Sequence, residues 1–144
     1  MTGPIFVDTN VFIYAVDLAD PQKQQAAQSW LSGLWKTRRG RLSLQVIHEF
    51  YAKVCRKNPS VRDQARAEAR ALFAWRPVPM DTVLVEDAWK LQDRYQLSFW
   101  EALIVAAAKS ITCSALLTED LQSGQDFDGV LVVNPFTTDP KSIL

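Results

Sequence analysis

Ile5-Phe6-Val7-Asp8-Thr9-Asn10 is three apolar residues closed by an acid and two polar residues that cap helices well. The pattern returns near the other end of the chain, where Ala115-Leu116-Leu117-Thr118 runs into Glu119-Asp120. Short β-branched or apolar runs alternate with longer stretches of helical periodicity, which predicts βαβ units and a parallel sheet. If the strands are parallel, acids that close them gather on one carboxyl edge.

Working outward from Asp8, the spacing predicts a strand over Ile5–Asp8 and a short helix from Asn10 to about Val16. Asp20-Pro21 then starts a second helix through Trp30 to Trp35, with Asp20 as cap and Pro21 in the first turn. Lys36–Arg41 reads as a basic turn and Leu42–Leu44 as a short strand. Gln45–Lys57 carries Val46, Phe50 and Val54 at helical spacing, and Asn58-Pro59 stops it. A helix capped by Ser60 is expected over Val61–Ala74, then a short extended edge segment over Arg76–Pro79. Asp81 caps a helix to about Tyr95, and Ser98 caps another that ends near Ser110. Ala115–Leu117 and Val130–Val133 are the last strands, and the turn-rich tail from Asn134 is expected to be loosely held. The fold class that follows is a three-layer α/β/α sandwich with a mainly parallel central sheet, formed by residues 1–144 as one domain.

Composition agrees with a globular chain. Of 144 residues, 48% are apolar and 22% charged, and 16 basic residues balance 16 acidic ones. Zero net charge argues against a non-specific nucleic-acid coat protein and leaves room for a local basic face. Cys55 and Cys113 are far apart and sit in apolar surroundings, so buried free thiols and a reducing cytoplasm are expected. The run before Asp8 is too short for a signal peptide, and Ala102–Ala108 is too short to span a membrane.

Four acids fall where predicted elements begin or end: Asp8, Glu49, Glu101 and Asp120. Each has an ordinary structural explanation. Asp8 and Asp120 are good N-caps. Glu49 pairs with Lys53 at i,i+4 on a helix surface. Ser98-Phe99-Trp100-Glu101 matches a capping box. Against these stands electrostatics. Asp8 follows three buried residues, and no Lys or Arg precedes position 23. Two carboxylates about 4 Å apart repel by ~4 kcal/mol at an effective dielectric of 20. Four on one edge call for a counter-charge, and the absence of a ligand-type His or Cys nearby favours a hard divalent cation. Such a site suits phosphodiester chemistry. His48, the sole histidine, reads as a boundary residue rather than a ligand.

Together with their order and spacing, Asp8-Thr9-Asn10, Ile47-His48-Glu49-Phe50, Leu97-Ser98-Phe99-Trp100-Glu101-Ala102-Leu103-Ile104 and Leu117-Thr118-Glu119-Asp120-Leu121 resemble the PIN-domain nucleases. Within that family the chain is similar to the VapC toxins of bacterial toxin–antitoxin pairs, from about Gly3 to Val133. The resemblance implies that Asp8, Glu49, Glu101 and Asp120 are catalytic and hold Mg2+ or Mn2+, with Thr9, Asn10 and Thr118 in support. Glu101 stands where the family more commonly has Asp, which keeps the charge and lengthens the arm by one methylene. The activity implied is a metal-dependent endoribonuclease leaving 3′-hydroxyl and 5′-phosphate ends. The partners implied are an RNA substrate, a small antitoxin and a second copy of the chain. A PIN module that binds RNA or a protein without cutting it is the other reading.

Lys53, Arg56 and Lys57 follow Glu49 at i+4, i+7 and i+8 and are candidates for RNA phosphate contacts, as well as cations suited to a helix C-terminus. Lys36, Arg38, Arg39 and Arg41 lead into a strand, which sets them on the amino edge, away from the acids, as a surface or partner patch. The five tryptophans are expected in the core or in a dimer contact. A phosphoacceptor reading of Asp8 is disfavoured, because Asp8-Thr9-Asn10 lacks a second acid and no Gly-rich phosphate loop occurs.

Overall fold

The computed structural model describes residues 2–144. Four short strands, β1 (Ile5–Val7), β2 (Gly40–Arg41), β3 (Ala115–Leu117) and β4 (Leu131–Val133), form a sheet in the order β2-β1-β3-β4. All three pairings are parallel, with Ile5 opposite both Gly40 and Ala115, and Val7 opposite Leu117. β1 and β3 are wholly buried, so they read as continuous apolar runs rather than as alternating ones.

Six α-helices flank the sheet: α1 (Thr9–Val16), α2 (Pro21–Thr37), α3 (Leu44–Lys57), α4 (Arg62–Leu72), α5 (Thr82–Tyr95) and α6 (Phe99–Ser110). The result is the three-layer α/β/α sandwich that the alternating pattern predicts. Most expected caps are in place. Asp20 accepts from the Lys23 amide with Pro21 in the first turn, Asp81 accepts from Leu84, and Ser98 accepts from Glu101. Helix α6 is buried from Ala102 to Ala108, which explains its unbroken apolar sequence.

Three expectations, two boundaries and the loose tail, are not met. The second strand is Gly40–Arg41, and Ser43 instead caps α3 by accepting from the Val46 amide at 3.4 Å. Pairing with β1 sets this register, and Leu44 already belongs to the helix. The segment around Val78 is extended as expected, and it adds a single parallel bridge to Ser43. Ser60 caps nothing: Asn58 ends α3 and caps a 3-10 turn over Pro59–Val61, and α4 follows from Arg62 without a side-chain cap. The tail from Asn134 carries more contacts than its turn-rich composition led us to expect. Trp30 Nε1 donates to the Pro135 carbonyl at 2.9 Å, Phe136 meets Tyr14 edge to face, and Arg39 donates to the Ile143 carbonyl.

Among the tryptophans only Trp30 is fully buried. Trp35, Trp89 and Trp100 are more than half exposed, so core packing does not account for them. Cys113 is a buried free thiol, pushed up to about 12 by burial, and Cys55 is free and half-buried. No helix among the described residues is long and apolar enough to cross a membrane.

Candidate active site

Parallel pairing decides where the acids go. Asp8 directly follows β1, Thr118–Asp120 follow the neighbouring β3, and Glu49 lies in the second turn of α3, which begins just beyond β2. Asp8, Glu49, Glu101 and Asp120 all line one cavity of about 380 Å3, with Gln45, Ser98 and Trp100 on its walls.

Asp8 is the most constrained of the four. One carboxylate oxygen accepts the Thr9 amide at 2.7 Å and the other accepts the Thr118 hydroxyl at 2.8 Å. Burial nevertheless raises its pKa to about 6, helped by the nearby charges of Asp120 and Glu49 and opposed by those hydrogen bonds. Asp120 is pushed up for the same first reason, burial, then by Glu119, and Lys53 acts against the shift. Its carboxylate is held by Asn10 Nδ2 at 3.1 and 3.4 Å, and its amide donates to Thr118 Oγ1 at 3.1 Å. Thr118 thus hydrogen-bonds to Asp8 and to the Asp120 backbone at once.

Glu49 is positioned by Gln45, whose Nε2 lies 2.7 Å from Glu49 Oε1, and more weakly by Thr9 Oγ1 at 3.5 Å. Gln45 is buried, and it also reaches the Trp100 carbonyl at 3.4 Å. Sequence reading passed over Gln45. The available signal was an amide one helical turn before an acid, within the otherwise apolar run Val46-Ile47.

Glu101 completes the capping box: its Oε1 accepts the Ser98 amide at 3.0 Å while Ser98 Oγ accepts the Glu101 amide at 3.2 Å. This turns the carboxylate toward its own helix end. As the side chains stand, no three His, Cys, Asp or Glu residues among those described are grouped closely enough to enclose a metal ion. In kind, however, the donors suit one. They are hard oxygens in a shared cavity, and the pKa values of two of them, Asp8 and Asp120, are raised by burial and by neighbouring carboxylates.

The cationic candidates separate. Lys53 is close enough to Asp120 to lower its pKa. Lys57 is committed to Asp17 on the far end of α1, at 2.9 Å, and Arg56 is exposed. Glu119 faces away from the cavity into an ion pair with Lys23 at 2.9 Å, where the ammonium also lies over the Tyr14 and Phe136 rings. His48 is exposed and lines a neighbouring apolar hollow with Met80 and Trp100.

A family model described as the PIN domain matches residues 5–125. The chain belongs to the PIN domain family. No curated protein sequence matches it significantly. Among the solved structures that share its fold are three. FitAB bound to an IR36 DNA fragment is 23% identical, covers 94% of this chain and 97% of its own, and has a TM-score of 0.73. A toxin–antitoxin complex from Klebsiella pneumoniae is 21% identical over 92% of this chain and 98% of its own, with a TM-score of 0.60. VapC20 of Mycobacterium tuberculosis, a toxin that cleaves the sarcin–ricin loop, is 21% identical over 81% of this chain and 91% of its own, with a TM-score of 0.61. The PIN match spans the strand-then-acid segments at both ends of the site, Asp8 and Asp120.

Proposed function

We propose that this PIN domain is a metal-dependent endoribonuclease of VapC type, the toxin of a toxin–antitoxin pair, cutting cytoplasmic RNA to 3′-hydroxyl and 5′-phosphate ends. The observation that carries the proposal is the convergence of Asp8, Glu49, Glu101 and Asp120 on one cavity within the PIN match. Likeness in fold to a toxin–antitoxin complex and to an RNA-cleaving toxin supports the biological setting, including an antitoxin partner, and the proposal extends to a homodimer.

Asp8 and Asp120, with Glu101 released from Ser98, would hold Mg2+ or Mn2+, and Glu49 completes the set. Bound there, the ion would neutralise charge on the phosphate and lower the pKa of an attacking water. The chain's own residues do the positioning. Thr9 and Thr118 fix both oxygens of Asp8. Asn10 orients Asp120, and Gln45 aims Glu49. Lys53, on the helical face of Glu49, supplies a positive charge for a flanking phosphate, and exposed Arg56 extends it.

A non-cleaving module is the second reading, favoured by one observation: Glu101 is engaged in its capping box. Purified, antitoxin-free protein incubated with structured RNA in Mg2+, Mn2+ or chelator separates the two. Metal-dependent cuts bearing 5′-phosphate, absent in Asp8→Asn, establish the nuclease. Intact RNA in every metal, with a folded protein that still binds RNA, establishes the module.

A further inference from the structure

A second cavity with different chemistry lies near the other edge of the sheet. It has a volume of about 190 Å3 and is walled by Trp35, Trp75, Gly40 and three arginines, Arg38, Arg41 and Arg76. Among the described residues no acidic side chain lines it. Gly40 pairs with Ile5, the first residue of β1, whereas Asp8 follows the last. At about 3.3 Å per residue, roughly 10 Å of strand separates the two levels. The cleavage chemistry proposed above uses none of these residues.

The floor is rigid. Trp75 packs so closely on Gly40 that a Cβ there would stand 2.1 Å from its ring, and Phe12 braces it edge to face at 5.6 Å. Trp35 lies over Trp75 with ring centres 6.1 Å apart and planes 30° from parallel, and it is 53% exposed. The cations are placed by the backbone. Arg38 ends α2 and Arg76 ends the 3-10 turn Phe73–Trp75, both in the left-handed region at φ 56° and 57°. Glycine or asparagine is the ordinary residue at such a cap. A helix C-terminus favours a cation nearby, but it does not require one at the strained position itself. Arg41 is steadied by its Nη1, which donates to the carbonyls of Arg38 and Gly40 at 3.0 and 2.8 Å. In a chain of zero net charge, three guanidiniums around an accessible indole form a local anion-attracting slot.

We propose that this slot binds one unpaired nucleotide of an RNA strand, its base stacked on Trp35 and its phosphate held by Arg38, Arg41 and Arg76. Guanidinium matches phosphate with paired donors, and an indole face accepts any base. At about 190 Å3 the cavity encloses only part of a nucleotide, and the 53% exposed Trp35 leaves the base partly open to solvent. The choice of RNA as ligand rests on the nuclease reading, and the slot gives a bound strand a second anchor remote from the carboxylates.

The test is binding of a fluorescently labelled single-stranded ten-uridine RNA to Asp8→Asn protein in chelator, across a salt series. Trp35→Ala should weaken binding about tenfold or more through lost stacking. Arg38→Gly/Arg76→Gly should weaken binding and lower the slope of log affinity against log salt by about 0.7, the share of one phosphate on a single strand. Glycine suits both backbones, so the double variant should melt no lower than its parent, which separates a binding role from a structural one. Unchanged affinity and slope in both variants overturn the proposal. Loss with the arginine pair but not with Trp35→Ala overturns the stacked base and leaves a phosphate contact alone. Displacement by uridine monophosphate at the same concentration as RNA overturns the strand in favour of a free nucleotide. No cleavage is read, so the outcome stands whether or not the protein proves to be a nuclease.

Discussion

The Thr118 hydroxyl donates to Asp8 Oδ2 at 2.8 Å and accepts the Asp120 amide at 3.1 Å, so one side chain ties together the ends of β1 and β3. Thr118 is 1% exposed, so water cannot replace it. Thr118→Val keeps the shape and removes both bonds. A buried hydrogen bond to a charged group contributes about 1.5–3 kcal/mol, and its loss should drive the Asp8 pKa further up. Metal-dependent RNA cleavage at pH 7 should fall at least tenfold and recover partly at higher pH. Thr118→Ser should retain most activity. Equal rates for valine and wild type would remove Thr118 from the site.

Asp8 makes stability depend on pH in a defined direction. Its folded pKa of about 6 lies above the ordinary 3.8, so between these values the folded protein holds a proton that the unfolded chain has released. Metal-free protein should therefore lose stability as pH rises from about 4 to 6 and level off above, by up to about 3 kcal/mol for the 2.2-unit difference between 3.8 and 6. Asp8→Asn should flatten that slope and melt higher than wild type at pH 7.5 in chelator. Excess Mg2+ should raise the melting temperature of wild type and not of the variant; at one hundred times its Kd, a bound ion adds about 2.7 kcal/mol. Asp120, also raised by burial, keeps a share of the slope in that variant, and a slope left unchanged by Asp8→Asn would assign the whole titration elsewhere.

The acids were legible because local sequence controls where each sits. An apolar run closed by Asp places the carboxylate on the carboxyl edge once the strands are parallel, as happened for Asp8 and Asp120. The capping box at Ser98 and Glu101 was equally local. What the sequence left open depends on contacts between distant segments. Gln45 earned no notice because only the fold brings it between Glu49 and the Trp100 carbonyl. The slip of the second strand from Leu42–Leu44 to Gly40–Arg41 has a similar cause, since pairing with Ile5 and Phe6 fixes it. The tail looked free by composition, yet Trp30 holds the Pro135 carbonyl across more than a hundred residues of chain.

Glu101 serves as cap and as candidate ligand, and charge separates the roles. Glu101→Gln retains an acceptor for the Ser98 amide, so the melting temperature should stay close to wild type. Glu101→Ala should cost about 0.5–2 kcal/mol, the range for losing a helix cap. Both should abolish metal-dependent cleavage, because neither offers a carboxylate. Cleavage by Glu101→Gln at the wild-type rate would confine Glu101 to its cap.

Gln45 acts on Glu49 alone among the four acids, and its substitution should show as geometry rather than as charge. Gln45→Met fills nearly the same buried volume and removes the 2.7 Å bond to Glu49 Oε1. Because the partner it loses is half-buried and reaches the cavity, Glu49 gains rotamers instead of being stranded, and the fold should persist. A displacement of about 1 Å in a catalytic group can cost a hundredfold in rate. The expected outcome is a ten- to hundredfold fall in the single-turnover cleavage rate with RNA affinity unchanged. Glu49→Gln should fall further, and the double variant should be no slower than Glu49→Gln, since Gln45 then has no carboxylate left to position. Additive losses in that cycle would show that Gln45 works through some other group.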